Sequence, residues 1–440
     1  MRMLTVDCDT DPVTPEIFLP LQLRAANEPF LPKLKIFQCN GTTTTFIPFI
    51  PFFLSPQTTE ISFVSTEDSP TMAVASTFTM FATLCPNLER VTIRNPERDL
   101  VTIDALSEML LAFNQDSLQI FHVDSPLSKE AREVVFRLPK LSGLWVVIEG
   151  HTLLPPVELP NLTEIDLEYD DHLDWLQGFR GAALGKLESV SFCSQSEQIG
   201  DFLGAFESVA LTSSVQNTLS SFMFTTSRSW YPNYSSLLSF KQLEKLVIEF
   251  TCDDGCSSKV DDDVITTLAQ AMPKLEILQL GGMPCKTRTG PTVHGLIALA
   301  FHCLHLSELR IHFQGDSLVC AATSAATTFI PIDEPVVPRE DCALTDLMVG
   351  CIPIPTKSAA RVTPVLLQIF PRILNVHYAN PEWRTVAQNI TEFRRIGAFV
   401  HRSSKLHPVT FNIPYRRGLT EDTCRKIIPA TVLKLYETPD

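Results

Sequence analysis

Residues 85–93 read Cys85-Pro86-Asn87-Leu88-Glu89-Arg90-Val91-Thr92-Ile93. An apolar residue, two variable ones, a second apolar residue, one variable and a third apolar residue make the L-x-x-L-x-L phrase of a leucine-rich repeat. Successive side chains of a strand point to opposite faces, so Val91 and Ile93 turn to one side and Arg90, Thr92 and Arg94 to the other. A strand with one apolar face cannot bury it alone. Copies stacked side by side can, and the fold therefore turns on whether the phrase recurs.

It recurs along most of the chain. Clear copies are Leu88-Val91-Ile93, Leu141-Leu144-Val146, Leu162-Ile165-Leu167, Leu187-Val190-Phe192, Leu243-Leu246-Ile248, Leu275-Leu278-Leu280 and Leu306-Leu309-Ile311. Looser copies are Leu34-Phe37-Cys39, Thr58-Ile61-Phe63, Leu118-Phe121-Val123, Leu219-Phe222-Phe224, Leu344-Leu347-Val349 and Ile373-Val376-Tyr378, which brings the candidate strands to thirteen. Successive copies are spaced by about 28 residues on average, in the range of this repeat class. Between them lie helical faces: Leu106, Met109, Leu110 and Phe113; Val264, Ile265, Leu268, Ala269 and Met272, with Asp261 as a cap; and Val293, Leu296, Ile297, Ala300 and Leu304. Helix then strand is the expected unit. The fold class expected is α/β, an open leucine-rich-repeat solenoid or horseshoe with a parallel sheet on the concave side and helices on the convex side.

Three segments follow from this pattern. Residues 1–33 are a proline-rich lead-in or incomplete N-terminal cap, with Pro12, Pro15, Pro20, Pro29 and Pro32. Residues 34–379 carry the irregular repeats. Residues 380–440 form a helical C-terminal cap, where Asn380 and Pro381 open a helix with Trp383, Val386, Ala387, Ile390 and Phe393 on one stripe.

Composition narrows the function classes. Of 440 residues 45% are hydrophobic and 19% charged, enough apolar surface for a long core. A formal charge of −15 repels phosphate backbones, so nucleic acid is not an expected partner. The first twenty residues carry Asp7, Asp9, Asp11 and Glu16 in place of a basic and then apolar leader, and the apolar stretch from Met72 to Cys85 is too short to span a bilayer. The expectation is an intracellular protein, cytoplasmic or nuclear, without a membrane partner. The twelve cysteines lack regular spacing and read as buried free thiols, and the sequons at Asn40, Asn161, Asn233 and Asn389 then carry no glycan.

No chemical motif stands out. The run Gly281-Gly282-Met283-Pro284-Cys285-Lys286-Thr287 has cysteine where a phosphate loop needs glycine, and reads as a turn. Cys252, Cys256, Cys285 and His294 lack the paired half of a zinc site. His302 and His305 have no glutamate in an H-E-x-x-H frame, and no G-x-S-x-G elbow occurs. Asp261, Asp262 and Asp263 read as complements to a helix dipole before a metal cluster. No enzyme, cofactor or metal is expected.

The phrases Leu138-Pro139-Lys140-Leu141, Leu159-Pro160-Asn161-Leu162 and Cys85-Pro86-Asn87-Leu88-Glu89-Arg90-Val91 resemble the leucine-rich-repeat region of fungal F-box-like proteins. The resemblance covers nearly all of the chain, loosely. It implies substrate recognition for a cullin-type ubiquitin ligase. The F-box is not legible here, because proline breaks helix interiors and the residues before Leu34 cannot hold three packed helices. A Skp-family adaptor and cullin are therefore expected partners only if an F-box lies outside this chain. A free-standing repeat scaffold unconnected with ubiquitin is the alternative, and an enzyme with an unrecognised site is a third reading.

The partner site is expected on the concave face, at the third, fifth and seventh positions of each phrase. Most repeats offer mixed residues there, such as Arg90, Thr92 and Arg94, or Glu308, Arg310 and His312. The repeat at Leu162 offers Glu164, Asp166 and Glu168, with Asp170 and Asp171 just beyond, and its neighbour turns Trp145 and Val147 outward. Tryptophan beside a carboxylate row suits a protein partner with a basic segment.

Overall fold

Each of the thirteen phrases lies on a strand. The computed structural model describes residues 2–7, 30–42, 46–66, 69–95, 98–149, 154–169, 173–195, 202–213, 215–227, 232–250, 260–281, 290–318, 342–349, 354, 358–378 and 380–404. Fourteen parallel strands follow one another in the sheet in chain order, an open α/β arrangement of the leucine-rich-repeat kind. The chain divides into two units, Met1–Leu219 and Ser220–Asp440.

The first unit holds β1 (Met3–Asp7), β2 (Ile36–Thr42), β3 (Glu60–Ser65), β4 (Arg90–Arg94), β5 (Ile120–Pro126), β6 (Gly143–Ile148), β7 (Glu164–Tyr169) and β8 (Ser189–Ser194). Its helices are α1 (Thr71–Leu84), α2 (Leu100–Ala112), α3 (Lys129–Val135) and α4 (Phe202–Ser213). The second and third apolar positions of each phrase from β2 to β8 are buried, as alternation requires. Helices cover that apolar face. Phe63 of β3 meets Phe78 and Phe81 of α1 edge-on at 6.0 and 5.8 Å between ring centroids, and Phe192 of β8 meets Phe202 and Phe206 of α4 at 5.0 and 5.5 Å.

A second device sets the register. The residue after the first apolar position of one phrase lends its carbonyl to two N–H groups of the next. Thr59 accepts from Glu89 and Arg90 at 2.8 and 3.0 Å, Glu89 from Gln119 and Ile120 at 2.8 and 3.0 Å, and Ser142 from Thr163 and Glu164 at 2.8 and 3.0 Å. These bonds satisfy backbone groups just outside the ladder and fix each strand against its neighbour. The same bond identifies β1, which the expected count of thirteen omitted: Arg2 accepts from Lys35 and Ile36 at 2.9 and 3.0 Å. The lead-in thus opens on a strand whose Leu4 and Val6 align with Phe37 and Cys39. Residues 8–29 of the lead-in lie outside the described residues.

Helix then strand does not hold at every step. Between β2 and β3, and between β7 and β8, the connection is a 3-10 helix, Ile47–Phe52 and Asp174–Phe179. Step length alone does not decide this, since the connection between β5 and β6 is no longer and holds α3.

The second unit holds β9 (Ser221–Thr226), β10 (Lys245–Phe250), β11 (Ile277–Leu280), β12 (Glu308–Ile311), β13 (Asp346–Val349) and β14 (Asn375–Tyr378). Its helices are α5 (Asp262–Ala271), α6 (Val293–His302), α7 (Ala359–Ile369) and α8 (Trp383–Ser404). Asp261 caps α5, accepting from the Val264 N–H at 2.9 Å. Asp262 turns to the next helix instead: Oδ1 accepts from the N–H groups of Thr292 and Gly295 at 2.7 and 2.9 Å, and Oδ2 from the Thr292 hydroxyl at 2.6 Å. Trp383, Val386 and Ile390 of α8 are buried, and Trp383 meets Phe313 edge-on at 5.8 Å. Residues 405–440 lie outside the described residues. No helix among the described residues is long and apolar enough to cross a membrane.

Candidate protein-binding face

On the face of the first sheet opposite the helices, residues of successive strands align in rows. One row runs Arg90, Ile120, Gly143, Glu164 and Ser189 across β4 to β8. The next runs Thr92, His122, Trp145, Asp166 and Ser191.

Trp145 is the centre of the second row and is part-buried. The Arg94 guanidinium carbon lies 5.4 Å from the centroid of its ring, a cation held over an aromatic face. The His122 ring meets the indole edge-on at 6.1 Å. Gly143 adjoins that ring, where a Cβ would stand in ordinary contact 3.4 Å from His122 Nε2. Burial holds the His122 pKa below its ordinary value, with Glu164 opposing and Arg94 reinforcing the shift, so at neutral pH the imidazole is uncharged.

The three carboxylates of β7 differ from one another. Glu164 is exposed. Asp166 is part-buried, and its pKa is pushed up to about 6, chiefly by burial; a hydrogen bond with Ser191 opposes the shift, while Glu164 and Glu168 add to it. Glu168 is paired. The two terminal nitrogens of Arg98 donate to its two carboxylate oxygens, both at 2.9 Å. Bidentate geometry of this kind is the strongest form of an ion pair, and it raises the Arg98 pKa further.

That pair corrects the expectation for Val147, which is 0% exposed. Arg98 follows β4 and reaches Glu168 on β7, across the two intervening strands. Val147 lies between Pro126 and Glu168 in register, under that crossing, and β5 loses its regular register between His122 and Pro126. Val147 keeps its place in the row of Glu168 and is covered on that face. Of the five expected residues, Trp145, Glu164 and Asp166 share the solvent face, Glu168 is engaged by Arg98, and Val147 lies in the same row as Glu168 but is buried. Asp170 and Asp171 lie outside the described residues.

Sequence reading placed Arg94 on the solvent face without joining it to Trp145, and missed Arg98, His122 and a nearby polar chain. Asn95 donates its N–H to Asp124 Oδ1 at 2.7 Å, and the Ser65 hydroxyl donates to Asn95 Oδ1 at 2.7 Å. These contacts join residues about thirty positions apart, one repeat, so the repeat period was the available signal.

Cys39, Cys85, Cys303 and Cys342 are buried free thiols; burial pushes Cys85 and Cys303 up to about 12. Cys252, Cys256 and Cys285 lie outside the described residues. Among the described residues no group of three His, Cys, Asp or Glu side chains is placed to hold a metal. No protein-family model matches this chain, and no curated protein matches it.

Proposed function

We propose that the chain is a non-catalytic protein-binding solenoid and that its partner docks on the solvent face of β4 to β8. One observation carries the reading: Trp145 is fixed between Arg94 and His122 beside Glu164 and Asp166, so a large amphipathic side chain is pre-positioned among charges. Rigid aromatic anchors set in a polar rim are the usual source of binding energy at protein interfaces. The buried thiols support the same reading, since a thiol pushed up to about 12 is a poor nucleophile at neutral pH.

The finer reading makes this face the substrate-recognition surface of an F-box-like ubiquitin-ligase adaptor. It rests on the Leu-Pro-x-Leu and Pro-Asn-Leu phrases alone, and in it the Skp-family adaptor and cullin would be held by an F-box outside these residues. A repeat scaffold unrelated to ubiquitin uses the same face. Trp145→Ala combined with Glu164→Lys and Asp166→Lys tests the shared claim. In a variant that keeps its circular dichroism and melting profile, partner affinity falls by an order of magnitude or more; unchanged affinity moves the site elsewhere.

A further inference from the structure

The charges of this face are segregated. Arg90 and Arg94 of β4 are exposed, as is Glu164 of β7, and Asp166 lies next to Trp145 in register. Arg98 and Glu168 neutralise each other at one edge. Among the described residues no ion pair engages Arg90, Arg94, Glu164 or Asp166. Glu60 stands beside Arg90 in register, and Asp124 interacts electrostatically with Arg94 and Arg98, so part of the positive field is offset at both arginines. Between the two ends lie the aromatic pair His122 and Trp145 and the side-chain-free Gly143. The surface is thus a dipole with an uncharged centre, where a row of carboxylates alone would have been uniformly negative.

We infer that this face binds an extended partner segment carrying an acidic residue over Arg90 and Arg94 and a basic residue over Glu164 and Asp166. The inference rests on the proposed use of the face and names the chemistry of what it holds. Strand spacing sets the separation. From β4 to β7 there are three inter-strand steps of about 4.8 Å, or roughly 14 Å, and a strand-like segment rises about 3.3 Å per residue. Four residues cover the full width. Arg94 leans over Trp145, which brings the positive end closer and admits a separation of two. Even separations put both charges on one side of an extended segment, whereas odd ones send them to opposite sides. At a separation of four the middle residue, on the same side, meets His122 and Trp145 and is apolar or small. A segment with the opposite charge order docks in the reverse direction, so order is free and parity is not.

The test is selection of random twelve-residue peptides displayed on phage against the full chain, followed by fluorescence anisotropy of the enriched sequences. Enriched peptides carry an acid and a base two or four residues apart. Their affinity falls about tenfold or more in Arg94→Glu and in Glu164→Lys, since removing one partner of a close charge pair costs at least that. The quadruple variant Arg90→Glu, Arg94→Glu, Glu164→Lys and Asp166→Lys, with both ends reversed, binds the same peptides again because the dipole has only changed direction. Three results overturn the inference. Peptides that are basic only, need Trp145 and Glu164, and ignore Arg90 and Arg94 defeat the dipolar partner while leaving the face as the site. Pairs at odd separations defeat the extended geometry. Binders indifferent to Trp145→Ala and to both charge reversals, or a selection that enriches nothing, remove the proposed site itself.

Discussion

The three successive aspartates 261–263 look alike in sequence, yet only one of them ties two helices together. Asp262 opens α5 and accepts three hydrogen bonds from the first turn of α6, at 2.6 to 2.9 Å. Two of its donors are backbone N–H groups that α6 cannot satisfy internally. Bonds to a charged acceptor contribute about 1.5 kcal/mol or more each, but the site is only part-buried and water replaces some of the loss. Asp262→Ala should therefore cost about 2–3 kcal/mol locally. Asp261→Ala removes one cap bond and should cost about 1 kcal/mol; Asp263→Ala removes no side-chain bond of the kind and should stay within about 0.5 kcal/mol. Amide hydrogen exchange of peptides covering residues 290–302 reads the effect directly. A loss of 2–3 kcal/mol in a local opening equilibrium accelerates exchange roughly 30- to 150-fold. Gly295→Ala adds a second arm, since its Cβ would stand 2.8 Å from Asp262 Oδ1 and 2.9 Å from Pro291 Cβ. That clash depends partly on Asp262, so the double variant should cost less than the sum of the single ones. Equal acceleration in the Asp262 and Asp263 variants, or none in either, would refute the assigned bridge.

Further outcomes follow from the first unit. Asp166 has a folded pKa of about 6, above its ordinary value of 3.8, so the folded state binds more protons than the unfolded state between those values and stability falls as pH rises through that window. Asp166→Asn should raise stability at pH 7 by about 1–2 kcal/mol after solvent screening, with the gain vanishing below about pH 4 in urea titrations; a gain independent of pH contradicts the burial argument. Phe63 is 0% exposed and packs on two rings of α1, so Phe63→Ala should cost about 3–5 kcal/mol by cavity formation, measured by denaturant unfolding, and a loss below about 1 kcal/mol would contradict that packing. The 440-residue chain alone should not bind a purified Skp-family adaptor in a titration; micromolar binding would contradict that expectation.

Strands were legible because each phrase carries its own local signal, apolar at alternate positions after a turn. β1 was missed although Met1, Leu4 and Val6 fit the same spacing, because the prolines that follow it suggested an irregular lead-in. Its defining contact, the Arg2 carbonyl with Lys35 and Ile36, is non-local. The face was legible in part for the same reason. Alternation places Trp145, Glu164 and Asp166 correctly, and it puts Val147 in the row of Glu168 without showing that this position is covered, where β5 slips and Arg98 reaches Glu168. Arg98 and Glu168 are 70 residues apart, and no pattern within one repeat pairs them. The cap at Asp261 could be read from its place before a helix, whereas the role of Asp262 depends on which helix stacks next.

Photo-crosslinking in cells addresses the central claim most directly. Benzoylphenylalanine replaces Thr92 on β4 or Ser189 on β8, both on the solvent face, or Leu211, which is 52% exposed on α4. Docking on the sheet face predicts a discrete adduct from the positions of Thr92 and Ser189, its loss when Trp145→Ala, Glu164→Lys and Asp166→Lys are added, and no such adduct from position 211. An adduct that forms only from position 211, or one from the sheet that survives the triple substitution, would contradict it.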